Sequence, residues 1–300
     1  MEHRAFLQSL TGEQRQSLTK RNNRDASVRL LVLVACFIFC STAILQRLPL
    51  LPVWLTLQGM LLVSLFHLLH ESVHDTVFRQ RLPNRLLAHV CGFVLFLPAI
   101  WFRYFHHAHH RYTQQENDPE LASEKPNSLM QWLVHVSGVT IWRYQLALLL
   151  SAVKSPVIEH YLKEKHQSSA RLEMLIMLLV YLALIIASVL FGSTVLLYLW
   201  IVPLLVGQPF LRLYLLAEHT GCESGSNMFR NTRTVLTNPI VRWFTWNMPY
   251  HTEHHVYPSV PFHQLPKLHC LMNAYLVEVD ASYTQFNARF VKQLSTASSE

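Results

Sequence analysis

Three short histidine clusters are the residues of this chain whose types and spacing can do chemistry. Each places histidines three or four positions apart, so on an α-helix their imidazoles project from one face. Imidazole nitrogen is a ligand that suits iron, zinc, copper and nickel. Eight histidines at these positions are too many for one ion, and they suit two. They are His70 and His74 in the first cluster, His106, His109 and His110 in the second, and His251, His254 and His255 in the third.

The first cluster also matches the motif His-Glu-x-x-His through His70, Glu71 and His74. In zinc metalloproteases this motif supplies two metal ligands and a general base. A catalytic zinc needs three protein ligands and an open position, which leaves five clustered histidines without a role. A two-metal site uses all eight and is preferred, with a zinc protease as the alternative. A metal transporter is a further alternative, but transport needs ionisable residues within the spans, whereas these clusters lie at the ends of apolar runs.

The elements that position these clusters are predicted to be membrane-spanning helices. Of the 300 residues, 51% are hydrophobic and only 14% are charged, whereas about a quarter are charged in ordinary soluble domains. About 17 to 25 mostly apolar residues are needed to cross the hydrocarbon core of a bilayer. Four stretches meet this requirement, over residues 28–45, 50–69, 172–191 and 194–216. The last contains Pro203, Gly207 and Pro209, which predict a kink or a break.

Positive charge is distributed unevenly around the predicted spans, within a net charge of +7. Basic residues stay on the cytoplasmic side of a membrane, so the N-terminus and all three clusters are predicted to face the cytoplasm. The basic residues before or at the start of the first span are Arg4, Arg15, Lys20, Arg21, Arg24 and Arg29. They form no patch with interleaved aromatic residues, so no nucleic-acid partner is predicted. We expect an integral protein of the inner (cytoplasmic) membrane of a bacterium.

The rest of the chain divides into a few segments. Residues 1–27 are predicted to form a basic cytosolic leader, 28–280 the membrane domain and 281–300 a polar C-terminal tail. Residues 86–102 are apolar but short, and they lie between clusters expected on one side of the membrane, so we predict a re-entrant or interfacial segment. Residues 129–153 mix aromatic and polar side chains, which predicts one amphipathic helix in the membrane interface.

The clusters resemble the histidine boxes of the membrane fatty acid desaturase family. The boxes HxxxH, HxxHH and HxxHH of that family correspond, in the same order, to His70–His74, His106–His110 and His251–His255. The span pairs and the sidedness agree as well, and the likeness covers about residues 28–270. The three boxes together are a specific pattern, although each one alone is weak.

The resemblance implies that nine histidines bind metal, namely the eight box histidines and His219, which is similar to a further histidine that the family places after its last span. Stearoyl-type members have an asparagine four residues before that histidine, where this chain has Leu215. Whether Asn247, four residues before His251, contacts metal through water stays open at this point.

The implied fold is an all-α integral membrane protein with four transmembrane helices and a cytosolic helical cap that holds a histidine-rich di-iron site. The implied cofactors are two iron ions (Fe2+/Fe3+), with O2 as co-substrate.

The implied enzyme introduces a double bond into a lipid acyl chain. A hydroxylase or ketolase of a lipid, carotenoid or other small molecule is the alternative, because the same ligands serve both reactions. We expect an external ferredoxin-like or cytochrome-like electron donor with its reductase, since the motifs include no dinucleotide fingerprint and no iron–sulfur spacing. Substrate identity and regiochemistry are not encoded in these motifs.

Neighbouring side chains are expected to orient the metal-bound imidazoles, which usually donate their other N–H to a carboxylate or carbonyl. The carboxylates near the clusters are Glu71, Asp75, Asp118, Glu218 and Glu253. His107 lies about 100° around a helix from His106 and is predicted to point away from the metals. His67 shares the stripe of His70 and His74, and we predict a structural histidine at the membrane end, with a contact to a metal-bound imidazole as the alternative. The residues that line a substrate channel or anchor the chain in the interface are predicted to be Trp243, Trp246, Tyr250 and Tyr257.

Overall fold

Helices form nearly all of the regular structure in the computed structural model, which describes residues 2–154 and 159–297. In chain order they are α1 (His3–Ser9), α2 (Gly12–Leu18), α3 (Arg24–Leu45), α4 (Leu51–Val73), α5 (Arg81–Val94), α6 (Ala99–Tyr112), α7 (Leu129–Ser137), α8 (Val139–Lys154), α9 (Glu164–Leu190), α10 (Val202–His219), α11 (Met228–Asn231), α12 (Pro239–Phe244), α13 (His251–Val256), α14 (Leu265–Met272) and α15 (Tyr283–Ala297). Single tighter turns occupy Pro119–Ala122, Phe262–Gln264 and Asn273–Tyr275. Two-residue strands, β1 (Thr234–Val235) and β2 (Val279–Asp280), pair in parallel.

Four helices are long and apolar enough to cross a membrane. They are α3, α4, α9 and the helix Leu197–His219, which consists of one wide π-helical turn, Leu197–Ile201, followed by α10. The predicted all-α fold with four spans is thereby confirmed. The last helix continues through its prolines: Pro203 follows directly after the π-helical turn Leu197–Ile201, and Pro209 lies inside α10.

The helices α4 and α10 pack most extensively against each other, with a glycine from each at the closest approach. A Cβ atom added to Gly59 would lie 2.3 Å from the carbonyl oxygen of Pro203, and one added to Gly207 would lie 2.4 Å from that of Gly59. Small residues permit such backbone contact between membrane helices. Both helices continue from this contact to a histidine of interest, His70 on α4 and His219 on α10.

Two shorter helix pairs bend sharply between the spans. The helices α5 and α6 meet at 103°, a geometry consistent with the predicted re-entrant segment. The helices α7 and α8 meet at 53°. The prediction of one helix over residues 129–153 is therefore wrong, because Gly138 adopts a φ of +77° and ends α7 in a left-handed cap.

The residues after α10 form a cap over the histidine-bearing helix ends. Within this cap α13 packs against α11, β1 and α14. Arg233, beside β1, forms ion pairs of 3.1 Å with both Glu278 and Asp280 and so fixes β2 against β1. The segment predicted as a polar tail contains α15, which packs against α10 and α7 and buries Phe286 and Leu294. The apolar residues of α15 share one helical face and pack against the protein, although the average composition of the segment is polar.

Candidate metal centre

The eight box histidines and His219 converge on two groups of ring nitrogens. Within each group, one nitrogen of every ring lies within 4.8 Å of the others. The first group consists of His70, His74, His106, His110 and His254. The second group consists of His109, His219, His251 and His255. The helices α4, α6, α10 and α13 thus bring all nine histidines singled out from the sequence together.

The Nε2 atoms of the first group crowd around a common centre. The Nε2 atom of His70 lies 2.7 Å from that of His254, which lies 3.1 Å from that of His110. The Nε2 atom of His106 lies 2.9 Å from those of His74 and His110. Each nitrogen of a neutral imidazole carries either one proton, with which it donates one hydrogen bond, or one lone pair, with which it accepts one. Pairwise hydrogen bonds therefore cannot satisfy all five rings, whereas a central cation can.

The second group has the same spacing. The Nε2 atom of His219 lies 3.2 Å from that of His109 and 3.1 Å from that of His251. The Nε2 atom of His255 is buried without a hydrogen-bond partner in the part of the chain that the structure describes. Nitrogens bound at about 2.1 Å to neighbouring positions of one octahedral ion lie about 3 Å apart. Both groups therefore fit a transition-metal ion.

Burial keeps these imidazoles neutral, which is the form that binds metal. Burial, with neighbouring imidazoles adding to it, holds the pKa well below its usual value in His74, His106, His110, His251 and His255. Burial also lowers the pKa of His254 to about 3. His109 is the exception: burial acts to lower its pKa, but the carboxylates of Glu120 and Asp118 outweigh that effect and raise it.

Left-handed turns end or precede the helices that carry these histidines. Asp75, with a φ of +60°, follows His74 directly, and Gln114, with a φ of +57°, lies just beyond α6. Trp246 and Asn247, with φ values of +54° and +59°, redirect the chain before α13. Residues other than glycine rarely adopt this conformation, which costs about 1–3 kcal/mol. The surrounding packing must offset this cost to hold the helix ends at the centre.

Polar groups hold the outer nitrogens of the second group. The Nδ1 atom of His109 lies 2.9 Å from Oδ1 of the buried Asp118 and 3.9 Å from Oε2 of Glu120. The Nδ1 atom of His255 lies 3.2 Å from the hydroxyl oxygen of Thr113. Such contacts fix the tautomer, so that the other ring nitrogen faces the centre.

The other two rings of the second group differ from each other. The Nδ1 atom of His219 donates to the backbone carbonyl of Asn231 at 3.0 Å, whereas that of His251 lies 3.4 Å from Oε1 of Glu218 without a hydrogen bond to a described residue. The first group is less constrained. In that group, the buried Nδ1 atoms of His110 and His254 have no hydrogen-bond partner among the described residues.

The carboxylate of the zinc-protease motif does not take part in either group. The Oε1 atom of Glu71 accepts the backbone N–H of Phe262 at 2.8 Å, and no carboxylate oxygen of the described residues joins the clustered nitrogens. A general base must reach a water held at the metal. The geometry therefore disfavours a zinc protease.

Two further carboxylates suggested by the sequence bind elsewhere. Asp75 pairs with Arg103 at 2.9 Å, and Glu253 accepts a hydrogen bond of 2.7 Å from the hydroxyl of Thr234 and contacts the ring of His269. Both carboxylates therefore stabilise helix ends instead of orienting a clustered imidazole. Of the five proposed partners, Asp118 and Glu218 are the two that contact these rings.

Two cavities lie against the α4–α10 pair. The inner cavity, of about 440 Å³, is lined by Phe66 and Phe102. The ring of Phe66 lies 6.3 Å from that of His70, and the ring of Phe102 lies 5.4 Å from that of His106, between centroids. The membrane cleft, of about 1020 Å³, is lined by residues of α3, α4, α7, α10, α12 and α15. Leu211 lines both cavities.

The remaining residues suggested by the sequence lie outside the two groups. His107 is exposed on α6. His67 packs edge to face on Tyr214, with 4.5 Å between ring centroids, and lines the membrane cleft. The side-chain amide of Asn247 donates to the carbonyl of Phe262 at 2.9 Å. The aromatic residues proposed for a channel, none of which lines either cavity, are Trp243, Trp246, Tyr250 and Tyr257.

Sequence reasoning missed three groups that contact the clustered rings. Thr113 and Glu120 lie close to the second cluster in sequence, and that proximity was their only signal. The third is the backbone carbonyl of Asn231, which has no signature in the sequence because every residue has a carbonyl. Only the path of the chain after α10 brings it to His219.

Comparisons with known proteins agree with this geometry. The chain is 28% identical to the sphingolipid delta(4)-desaturase DES1 of Drosophila melanogaster over 223 residues, and this match covers 70% of this chain and 62% of that protein. It is 30% identical to the sn-1 oleoyl-lipid 12-desaturase of Picosynechococcus sp. over 138 residues, and this match covers 42% of this chain and 39% of that protein. The chain thus spans less than two thirds of the length of either relative. The model of the family described as fatty acid desaturase matches residues 46–287, a range that contains all nine clustered histidines. The chain therefore belongs to the fatty acid desaturase family.

Proposed function

We propose that this protein is an O2-dependent oxidoreductase that removes two hydrogens from adjacent carbons of a lipid acyl chain and leaves a double bond. The observation that carries the proposal is the convergence of nine imidazoles into two groups that fit metal ions, in a chain of the fatty acid desaturase family. Both relatives are named as lipid desaturases, which supports a lipid substrate.

Two iron ions are the proposed occupants, one in each group. When bound, they supply the redox chemistry that the use of O2 against an unactivated C–H bond requires. The first ion would be held by His70, His74, His106, His110 and His254, and the second by His109, His219, His251 and His255. Imidazole alone suits several transition metals, so the choice of iron rests on the family and the reaction.

The residues of the chain fix the donors and keep water out. Asp118 and the carbonyl of Asn231 hold outer nitrogens of the second group, so that the inner nitrogens stay directed at the centre. Phe66 and Phe102 give the inner cavity an apolar wall against which a methylene group packs. The burial of the rings excludes bulk water from the site, which protects a reactive centre from side reactions.

The two electrons that the reaction consumes are proposed to come from a ferredoxin-like or cytochrome-like donor with its reductase. A basic surface beside the histidine-bearing ends of α4 and α6 supports docking of an acidic donor. Its exposed side chains are Arg79, Arg81, Arg85 and Arg111. The distribution of positive charge supports a cytoplasmic position for the N-terminus and for the metal centre. The inner membrane of a bacterium stays our prediction for its location.

Expression in a host that lacks the activity, followed by mass spectrometry of its lipids, tests this function. We expect acyl chains that have lost two hydrogens, and no such product from His254→Ala. The matched control is His107→Ala, because this histidine is exposed and lies outside both groups. Purified protein is expected to contain close to two irons per chain. Product that has gained an oxygen atom would identify a hydroxylase, and unchanged product from His254→Ala would refute the ligand assignment.

A further inference from the structure

The membrane cleft points to the class of lipid that the protein uses. We propose that the cleft admits an intact bilayer lipid whose polar group next to the reacting chain is uncharged, a hydroxyl or an amide, and that His67 binds this group by hydrogen bonds. This inference rests on the proposed function and specifies its substrate.

The mouth of the cleft faces the hydrocarbon region. Phe39 of α3, Met60 of α4 and Phe210 of α10 line it and expose 63%, 42% and 43% of their surface. Exposed apolar side chains on membrane spans are those that contact lipid tails. A lipid can therefore move sideways from the bilayer into the cleft without passing through water.

The inner end of the cleft carries buried hydrogen-bonding groups without partners. His67 is 3% exposed, and both of its ring nitrogens are buried without a hydrogen-bond partner among the described side chains, the nearest backbone group being the carbonyl of Ser64. The Nε1 atom of Trp132 and the Oδ1 atom of Asn287 are buried and unpartnered in the same cavity. Buried polar groups are nearly always satisfied, so these groups indicate a missing polar ligand.

The lining of the cleft excludes a charged ligand group. Among the described residues that line it, none is Asp, Glu, Lys or Arg. A carboxylate or phosphate placed here would lose its hydration without a counter-charge. A hydroxyl or amide both donates and accepts, which matches the imidazole of His67, the donor of Trp132 and the acceptor of Asn287. The inner cavity differs, because its lining includes Glu120, Lys125, Arg212 and Glu218.

The position of His67 also relates the polar group to the reacting carbons. His67 precedes His70 by one helical turn, which is about 5 Å along α4. Leu211 is the side chain that lines both cavities, so the cleft and the inner cavity adjoin at this residue. A polar group held by His67 therefore brings carbons only a few bonds away beside the metal centre. We expect the new double bond near the polar end of the lipid.

Photo-crosslinking of the purified protein in lipid nanodiscs tests the inference without turnover. Two probes carry the same diazirine-labelled chain, one with a hydroxyl–amide head group and the other with a carboxylate. We expect the neutral probe to label residues of the cleft at least about fivefold more than the carboxylate probe, because the neutral group gains a hydrogen bond and the carboxylate loses its hydration. His67→Leu is expected to lower labelling by the neutral probe about fivefold, which is the effect of about one hydrogen bond, while the uncharged lining still disfavours the carboxylate probe. His160→Leu removes an exposed histidine that lines neither cavity, and it is expected to leave labelling by the neutral probe unchanged.

Two results would overturn the inference: equal labelling by both probes, or unchanged labelling by the neutral probe in His67→Leu. If His67→Leu does not fold, Trp132→Phe removes one unpartnered donor from the same cavity and keeps an aromatic ring. The test is separate from that of the function, because labelling needs no iron. Intact labelling without oxidation would refute the proposed function alone, whereas oxidation of an acyl thioester without labelling of the cleft would refute this inference alone.

Discussion

The outer ring nitrogens distinguish the two groups of histidines at the scale of single residues. In the second group, the Nδ1 atoms of His109, His219 and His255 each lie within hydrogen-bond distance of an oxygen, and only that of His251, at 3.4 Å from Glu218, has no hydrogen bond to a described residue. In the first group, the Nδ1 atoms of His110 and His254 have no partner in the described ranges. A hydrogen bond from the outer N–H to an oxygen makes an imidazole a stronger and better oriented donor. We therefore expect the second group to bind iron more tightly than the first.

Asp118→Ala is expected to weaken iron binding by the second group about 10-fold to 100-fold, because it removes the carboxylate that orients His109. Competition with a chelator, with the iron content measured by mass spectrometry, gives the affinity. Glu116→Ala is the matched control, since Glu116 is an exposed carboxylate in the same loop. Asp118→Asn retains an acceptor oxygen and should lose less affinity. Equal affinities for Asp118→Ala and Glu116→Ala would contradict this role.

The sequence predicted the clustered histidines well but their partners poorly. The spacing within His106, His109 and His110 requires only that the segment be helical, and that local property is visible in the sequence. The carbonyl of Asn231 reaches His219 only through the tertiary path of the chain, which no local pattern records. Glu253 illustrates the opposite error, since a carboxylate inside a cluster points to Thr234 and His269 instead of a clustered ring.

At the scale of elements, the helix that carries the second cluster is capped by another span. The helix α6 has no side-chain cap of its own at Pro98. Instead, the carboxylate of Glu173 on α9 accepts the backbone N–H groups of Ala99 and Ile100 at 3.1 and 2.8 Å, and it contacts Nδ1 of His89 at 2.5 Å. A carboxylate at a helix N-terminus satisfies free donors and interacts favourably with the helix dipole. Glu173, which is distant from α6 in sequence, therefore fixes the start of this helix by direct hydrogen bonds.

Glu173→Ala is expected to loosen the first turn of α6 and to cost about 1 kcal/mol of stability, since it leaves two partly buried N–H donors without their acceptor. Hydrogen exchange followed by mass spectrometry should show faster exchange over residues 99–103. Glu173→Gln keeps an acceptor and should have a smaller effect, and Lys165→Ala, an exposed change on the same helix, should have none. Unaltered exchange in Glu173→Ala would show that α6 is held by other contacts.

The long helices were predictable because hydropathy over some twenty residues decides them, whereas shorter elements depend on single backbone conformations. The break between α7 and α8 is set by the left-handed φ of Gly138, which composition does not reveal. The helix α15 was missed because its buried Phe286 and Leu294 are diluted among polar residues of the exposed face.

For the molecule as a whole, the metal centre joins parts of the chain that are distant in sequence. The clustered nitrogens come from α4, α6, α10 and α13, so bound ions would cross-link two spans, the bent α5–α6 pair and the cap. A ligand that binds only the folded state stabilises it in proportion to the logarithm of its concentration over its dissociation constant. The folded state should therefore depend on metal.

Removal of iron with a chelator is expected to lower the thermal unfolding midpoint, and added ferrous iron should restore it. Free iron at 100 times its dissociation constant should raise the free energy of unfolding by about 2.7 kcal/mol. Unfolding in detergent, followed by tryptophan fluorescence, measures the shift. His251→Ala should have a smaller response to iron, whereas His107→Ala should respond as the wild type does. A midpoint that is independent of iron would mean that the cap and the spans hold together without it.

The glycine contact between α4 and α10 has a mechanical consequence for this centre. Gly59 and Gly207 each precede a clustered histidine, His70 or His219, by about three helical turns, which is a lever of roughly 17 Å. Rotation by about 5° around this pivot moves the far ends of the helices by about 1.5 Å, enough to stretch a metal–nitrogen bond beyond its normal range. A membrane helix meets a mismatch with the bilayer thickness partly by tilting. A change in membrane thickness that tilts α4 against α10 would then be transmitted to the metal centre through this contact between two glycines.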